Sequence, residues 1–317
     1  MKTRFCLIAA FAALILSSCC SSSKGPKAKH VVFIGIDGFA SWCLQEALDG
    51  DATIEGEQVQ LPNIKEVMAG GAYTLRKRSV MPSASAINWA SIFNGIPTEM
   101  HGYNEWNSRE PAITAAEYGP NGMPTTVYTV LRAQRPEAVS GAIYNWDGIG
   151  YVIDTVATSY HKYDGSVHSD PAYTTQGYTV QALEYIVSEK PAFFTLYFDE
   201  LDSAGHNNGW GTEPYYRVMQ TLDECIGLVI QGLKDAGMWN DTILVITSDH
   251  GGKDRGHGGF TIQELESPYL VCGKNILPIG EIPSTMMQYD VAANFAHMLG
   301  LTLPAHWRGR QLKEIYR

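Results

Sequence analysis

Three runs of the chain are apolar at nearly every position: residues 30–36 (His-Val-Val-Phe-Ile-Gly-Ile), 192–198 and 242–247. Runs this short and continuous predict strands buried on both faces. Between and after them the apolar positions recur at helical spacing. Val180, Leu183, Ile186 and Val187 mark a helix within 172–190, and Val218, Leu222, Ile226, Val229 and Leu233 form one face of a long helix. Leu61-Pro62 opens a short helix that stops at Gly70-Gly71, and residues 84–94 and 290–299 read as two more. Residues 139–144 and 267–271 read as weaker strands. Strands alternating with helices predict an α/β fold with a mostly parallel central sheet, helices on both faces, and ligands at the carboxyl ends of the strands. Residues 104–175 are the least patterned and read as loops over the site.

The first residues are different. Lys2 and Arg4 precede an apolar run from Phe5 to Leu16, too short to span a bilayer as a helix, and small residues follow. This is the pattern of a secretory signal. Leu16-Ser17-Ser18-Cys19 resembles the bacterial lipobox, so residues 1–18 read as a lipoprotein signal peptide, 19–29 as a tether lipidated at Cys19, and 30–317 as a single catalytic domain. The expected location is the bacterial cell envelope, facing the periplasm. Of the 6 cysteines, Cys6, Cys19 and Cys20 fall in the leader and tether. Cys43, Cys225 and Cys272 stand singly among apolar neighbours, which predicts buried free thiols and not a disulfide framework.

With 45% hydrophobic and 18% charged residues, the chain has enough apolar material for a large core and is not a disordered one. The formal net charge is −10, and the one short basic run, Arg76-Lys77-Arg78, is isolated, which argues against nucleic-acid packaging. The chemistry-bearing residues cluster just past the strong strands. Asp37 follows the first, Asp202 and His206 the second, and Asp249-His250 the third, with His257 seven residues later. A strand-end Asp is ordinarily a turn or cap residue, and a single His an ordinary polar group. Three carboxylates and three imidazoles at the ligand-binding end of one sheet are a different matter, and mixed His/Asp ligation suits zinc.

In this order the residues resemble the alkaline phosphatase superfamily, and within it the type I phosphodiesterase/nucleotide pyrophosphatase branch. The resemblance runs from about residue 30 to 315 and is strongest at residues 33–38, at Asp202-x-x-Gly205-His206 and at Ser248-Asp249-His250-Gly251. It implies an alkaline phosphatase-like fold and two zinc ions, with manganese or iron as other candidates. One ion would be held by Asp202, His206 and His257, the other by Asp37, Asp249 and His250. It also implies a hydroxyl nucleophile at a helix start ten residues before the Gly of a short turn, here Asn94-Gly95, which selects Ser85 with Ser83 as the alternative. A phospho-Ser85 intermediate follows from that role. Asn104, or else Asn107, would donate to a non-bridging phosphate oxygen. Tyr197 stands where the branch places a base-stacking aromatic, although plain strand packing accounts for it equally well.

The chain also departs from the family pattern. Ala86 follows the nucleophile where nucleotide-cleaving members often carry an aromatic, and the spacing of Asn104 after Gly102 differs from the family's. Only six residues separate His250 from His257, which implies a compact enzyme with an open site. No Cys-x-Pro-x-Arg stretch is present, which argues against a formylglycine sulfatase. Lys253 and Arg255 lie in the loop between two ligands, where they could meet a phosphate or simply face solvent. The reading is a di-zinc phosphodiesterase acting on a small phosphate ester such as a nucleotide. The alternatives are a phosphomonoesterase with the same metals and a non-catalytic, substrate-binding lipoprotein on this fold.

Overall fold

A computed structural model of the chain describes residues 27–166 and 174–317. The leader, Cys19 and most of the tether lie outside the described residues. The strands are β1 (His30–Ile36), β2 (Thr53–Ile54), β3 (Glu57–Gln58), β4 (Gly71–Arg78), β5 (Ser140–Tyr144), β6 (Tyr160–Tyr163), β7 (Phe193–Phe198), β8 (Thr242–Thr247), β9 (Glu266–Gly273) and β10 (Gly280–Glu281). Apart from the small β2–β3 hairpin they form one eight-stranded sheet in the order β10-β4-β9-β8-β1-β7-β5-β6. Only β9 runs against its neighbours β8 and β4; the other pairings are parallel. The mostly parallel sheet with helices on both faces is therefore as expected.

The three strongly apolar runs become the three central neighbours, β8, β1 and β7. Each is buried along its whole length or nearly so. Successive side chains of β1 go to opposite faces, with Val31 and Phe33 in one core and Val32, Ile34 and Ile36 in the other. Burying each such side chain contributes roughly 1.5–3 kcal/mol, which is what keeps a strand with no polar face in the middle of a sheet. The long helix Glu213–Asp235 packs its apolar stripe on the second core, as its spacing predicted.

The register sets up the site. Ile36 pairs with Phe198 and Gly35 with Thr247, so the three strands end level with one another. Residues more than 200 positions apart in sequence are thus delivered to one edge. Elements without a strong apolar run were not anticipated: the helices Ser41–Asp49 and Val127–Gln134, the strands β4 and β6, and the helix Glu200–Asn208. The stretch 104–175 accordingly holds more regular structure than expected, and part of it, 167–173, lies outside the described residues. The sheet also divides the short basic run. It lies on β4, and strand alternation points Lys77 inward, where it is fully buried, while Arg76 and Arg78 pair with Glu281 and Glu266. Cys43, Cys225 and Cys272 are buried and free, as expected.

Candidate active site

Asp37 follows β1 directly. Its Oδ2 accepts from Trp89 Nε1 at 2.9 Å and from the Tyr197 hydroxyl at 2.5 Å, while its Oδ1 accepts no hydrogen bond and lies 3.5 Å from His250 Nε2. Gly35 makes this possible, because a Cβ there would lie 2.8 Å from the Trp89 ring. Asp202 and His206 sit on the helix Glu200–Asn208 at i and i+4, so one helical face presents both. Gly38, at φ +64, lets the β1 loop close on that helix; a Cβ there would lie 2.7 Å from Asp202 Oδ1. Asp249 accepts from Gly38 N–H at 3.2 Å through Oδ1 and leaves Oδ2 unpartnered. Around one point there are therefore three buried carboxylate oxygens with no hydrogen bond: Asp37 Oδ1, Asp202 Oδ1 and Asp249 Oδ2.

The imidazoles complete the picture. His206 Nδ1 lies 3.1 Å from Arg255 O, His250 Nδ1 2.8 Å from Gly251 O, and His257 Nδ1 3.0 Å from Ser83 O. A carbonyl only accepts, so in each ring Nδ1 carries the proton and the Nε2 lone pair is turned inward. His206 Nε2 and His257 Nε2 end 3.1 Å apart. Two lone pairs facing each other over that distance repel unless a cation or a proton lies between them. Burial pushes the His250 and His257 pKa values down to about 3, so these rings are neutral at ordinary pH and their Nε2 lone pairs are free to hold a cation. Burial also raises the Asp37 carboxyl above its usual range despite the Tyr197 and Trp89 donors, and raises Asp202 and Asp249 further, with the Asp37 charge adding to both. Three crowded, dehydrated carboxylates are costly as a metal-free cluster and favourable around a polyvalent cation.

Two groups of potential ligand atoms lie within 4.8 Å of one another: Asp202, His206 and His257, and Asp37, Asp202 and His250. The first matches the set expected from sequence. In the second, Asp202 stands between both groups, and Asp249 adjoins through its Oδ2, 3.1 Å from His250 Nε2. Oxygen and imidazole donors of this kind fit zinc.

Ser85 is the first residue of the helix Ser85–Asn94, and its Oγ lies 3.2 Å from His250 Nε2. Ser83 has its hydroxyl occupied, donating to Gly259 O and accepting from Gly258 N–H. Ser85 borders a cavity of ≈ 670 Å³ with Asp37, Asp202, His206, His257 and Asn104; neither Ser83 nor Asn107 lines it. Asn104 keeps its Oδ1 unpartnered there.

Tyr197 needs correction as a base-stacking platform. It borders the cavity, but it is 0% exposed, its hydroxyl is held by Asp37, and Trp146 lies over it at 6.2 Å between centroids. Lys253 and Arg255 line a different cleft beside Trp42, and Arg255 serves the site only through its carbonyl. Sequence reasoning missed the supports. Lys77 Nζ donates to Ser248 O, Ser267 Oγ and Gln288 Oε1, while Gln288 and Ser79 donate to Asp249 O, so the ligand segment 248–250 is fixed from behind. Trp89 was findable, since it lies one helical turn after Ser85; Gln288 carried no signal.

With this geometry in place, comparison with known proteins gives a consistent answer. A family described as type I phosphodiesterase/nucleotide pyrophosphatase matches residues 31–265, more than half of the chain. Ectonucleotide pyrophosphatase/phosphodiesterase family member 1 of Rattus norvegicus is 31% identical over 202 residues, covering 60% of this chain and 21% of the relative. Member 3 of Mus musculus is 26% identical over 256 residues, covering 74% and 27%. This chain thus spans about a fifth to a quarter of the length of those curated relatives. Among solved structures, murine ectonucleotide pyrophosphatase/phosphodiesterase 5, in an inactive form in complex with AMP, aligns with a TM-score of 0.71 at 17% identity, covering 91% of this chain and 100% of that one. The phosphonate monoester hydrolase from Silicibacter pomeroyi aligns with a TM-score of 0.65 at 15% identity, covering 90% and 76%. At these identities the structural likeness establishes a shared fold.

Proposed function

The chain belongs to the type I phosphodiesterase/nucleotide pyrophosphatase family, and from that premise we infer that it hydrolyses phosphodiesters with two zinc ions and a covalent phospho-Ser85 intermediate. The observation that carries this reading is the convergence of three unpartnered carboxylate oxygens and three inward imidazole lone pairs beside a helix-start serine. Asp202, His206 and His257 would hold one ion, and Asp37, Asp249 and His250 the other, with Asp202 near both. Bound there, the ions would supply Lewis acidity and an activated hydroxyl.

The chain's own residues do the rest. Ser85 Oγ attacks phosphorus, a new P–O bond forms, and the bond to the departing alcohol breaks in line with it. Water then cleaves phospho-Ser85 and restores the hydroxyl. The N-terminus of the Ser85 helix favours the phosphoryl anion through its dipole. Asn104 offers a neutral amide donor to a non-bridging oxygen. Among the described residues no Lys or Arg lines the cavity, and Glu105 and Asp199 add acidic character to its wall. A monoester dianion would find no extra cation for its third free oxygen, so the cavity favours a monoanionic diester over a monoester. A small ester such as a nucleotide fits both the cavity volume and the family.

Attachment to the cell envelope through Cys19, facing the periplasm, belongs to the same reading and rests on the leader pattern. Among the described residues no helix is long and apolar enough to cross a membrane. Cys19→Ala should release the protein from the membrane fraction or leave it uncleaved; a wild-type protein recovered soluble, starting well past Cys19, would count against the anchor. The activity is tested by zinc content and by rates on p-nitrophenyl diester and monoester. About two ions per chain and a faster diester are expected. Less than one ion, with activity indifferent to chelators, would sink the two-metal reading.

A further inference from the structure

Asp202, His206 and His257 come from a short helix and a tight turn. Behind them stands Trp210, buried in the turn between the helices Glu200–Asn208 and Glu213–Asp235. Its ring lies nearly at right angles to both imidazoles, 5.3 Å from His206 and 6.1 Å from His257 between centroids, with interplanar angles of 80° and 72°. Rings prefer such T-shaped contacts. Each imidazole is tied to the backbone by a single hydrogen bond, between its Nδ1 and a carbonyl. A ring held at one atom can still pivot about that bond. A bulky side chain packed against its flank removes that freedom.

The chain gives up two side chains to seat this indole. A Cβ at Gly205 would fall 2.6 Å from it, and one at Gly252 would fall 2.2 Å from it. Gly205 lies inside the ligand helix, between Asp202 and His206, where a glycine weakens the helix. Gly252 lies between His250 and His257. The indole is thus wedged between the two segments that carry the ligands. Its Nε1 donates to Gly38 O at 2.9 Å, next to Asp37. The Trp210 backbone N–H donates to Asp254 O at 2.9 Å, one residue before the Arg255 carbonyl that meets His206. One residue therefore touches the β1 loop, the ligand helix and the 250–257 loop. Gly38 O also accepts from the Tyr215 hydroxyl at 2.9 Å, so the β1 loop keeps a donor when the indole is removed.

We propose that Trp210 is a positioning residue of this site, a wedge that sets the His206 and His257 rings toward the cation they would share with Asp202. Trp210 does not border the cavity beside Ser85, so it acts through the two imidazoles and not on the substrate. The inference rests on the two-ion reading and deepens it. The ion held by Asp202, His206 and His257 depends on Trp210, and the ion held by Asp37, Asp249 and His250 does not.

The test uses the zinc-loaded chain as wild type, Trp210→Leu, Trp210→Phe and Trp307→Phe. Trp307 is the control: it is buried too, but it packs on Gly95 beyond the far end of the Ser85 helix. Competition with a graded series of chelators measures the affinity of each zinc ion, with metal counting and circular dichroism alongside. Trp210→Leu should weaken one ion about 10–100-fold, the scale of a lost outer partner, and leave the other within about twofold of wild type. Trp210→Phe, which keeps a ring in the wedge, should lose less on the same ion. Trp307→Phe should lower the melting temperature and bind both ions as wild type does. Diester hydrolysis by Trp210→Leu should rise toward wild type as zinc is raised. If Trp210→Leu binds both ions within about twofold of wild type, or loses both equally, the assignment is overturned. Should Trp210→Leu fail to fold, the same outcomes in Trp210→Phe decide it. A wild type that binds less than one ion overturns the two-ion reading, and this assignment with it.

Discussion

The two halves of the ligand cluster are built differently. Asp37, Asp249 and His250 are almost wholly enclosed and come from the ends of the two central strands β1 and β8. Asp37 and Asp249 each have a second oxygen held by protein donors, and the segment of Asp249 and His250 is fixed by Lys77, Ser79 and Gln288. Asp202, His206 and His257 come from a nine-residue helix and a tight turn, and the His206 side chain is 45% exposed. The difference teaches where rigidity is spent. The strand-end half is preorganised along with the Ser85 hydroxyl it touches, whereas the helix-and-turn half is less enclosed and opens to solvent at His206. A cation in the first half should be hard to remove and one in the second half easier.

The strongest way to break this comparison is to remove a group from the buried half. Asp249→Ala and Ser85→Ala should each lower diester hydrolysis by about 10⁴-fold, the scale of nucleophile and triad deletions. The two should differ in metal content, with Asp249→Ala losing mainly one ion and Ser85→Ala retaining both, while circular dichroism shows the fold intact in each. Ser83→Ala should remain within a few-fold of wild type, since its hydroxyl bonds only Gly258 and Gly259. A Ser85→Ala enzyme keeping more than about a tenth of the rate, 1.4 kcal/mol of barrier, rejects the nucleophile.

Removal of a group from the exposed half should do less. His206→Ala should lose the other ion at low zinc and regain part of its activity when zinc is raised, a rescue not expected for Asp249→Ala. Zinc titrations of both variants, followed by metal counting, decide this. Equal zinc dependence in the two would erase the distinction between the halves.

A smaller effect is expected one layer out. Trp89→Phe deletes the Nε1 donor to Asp37 Oδ2 and leaves the Tyr197 hydroxyl in place. Loss of such an outer partner ordinarily costs about 10–100-fold in metal affinity or activity. Chelator-competition titration of Trp89→Phe against wild type measures it, and an unchanged affinity would show that Tyr197 alone orients Asp37.

The same division explains what could be read in the sequence. The buried half was legible because strands buried on both faces are continuous apolar runs, and an acid at the end of each stands out against them. Asp202 and His206 were legible by spacing, although the helix that carries them has no apolar stripe to announce it. Tyr197 misled because its position in the chain does not reveal that Trp146 covers it and Asp37 holds its hydroxyl. Lys77 hid inside a run of three cations, where only the pleat of β4 tells which one points inward. Gln288 acts through tertiary contacts that no local pattern encodes.

The smallest expected effect separates the cluster from the acid sensitivity of the fold around it. His101, in the turn that leads to Asn104, is fully buried; its Nδ1 accepts from Tyr103 N–H at 3.1 Å and its Nε2 lies 3.1 Å from Ser91 Oγ. Nδ1 therefore carries no proton, and the neutral ring donates through Nε2. Burial lowers its folded pKa to about 3 from the ordinary value of 6.5. A depressed folded pKa means that the unfolded chain binds the proton more readily. The stabilisation is complete above about pH 6.5 and is lost progressively as the pH falls toward 3. His101→Gln should be somewhat less stable than wild type at pH 8 and lose less stability between pH 7 and pH 4.5. Melting curves taken with saturating zinc and again with chelator separate the contributions. If wild type and His101→Gln lose the same stability between pH 7 and pH 4.5, and only chelator changes that loss, the acid sensitivity resides in the imidazoles of the cluster, and the loop that carries Asn104 is indifferent to pH.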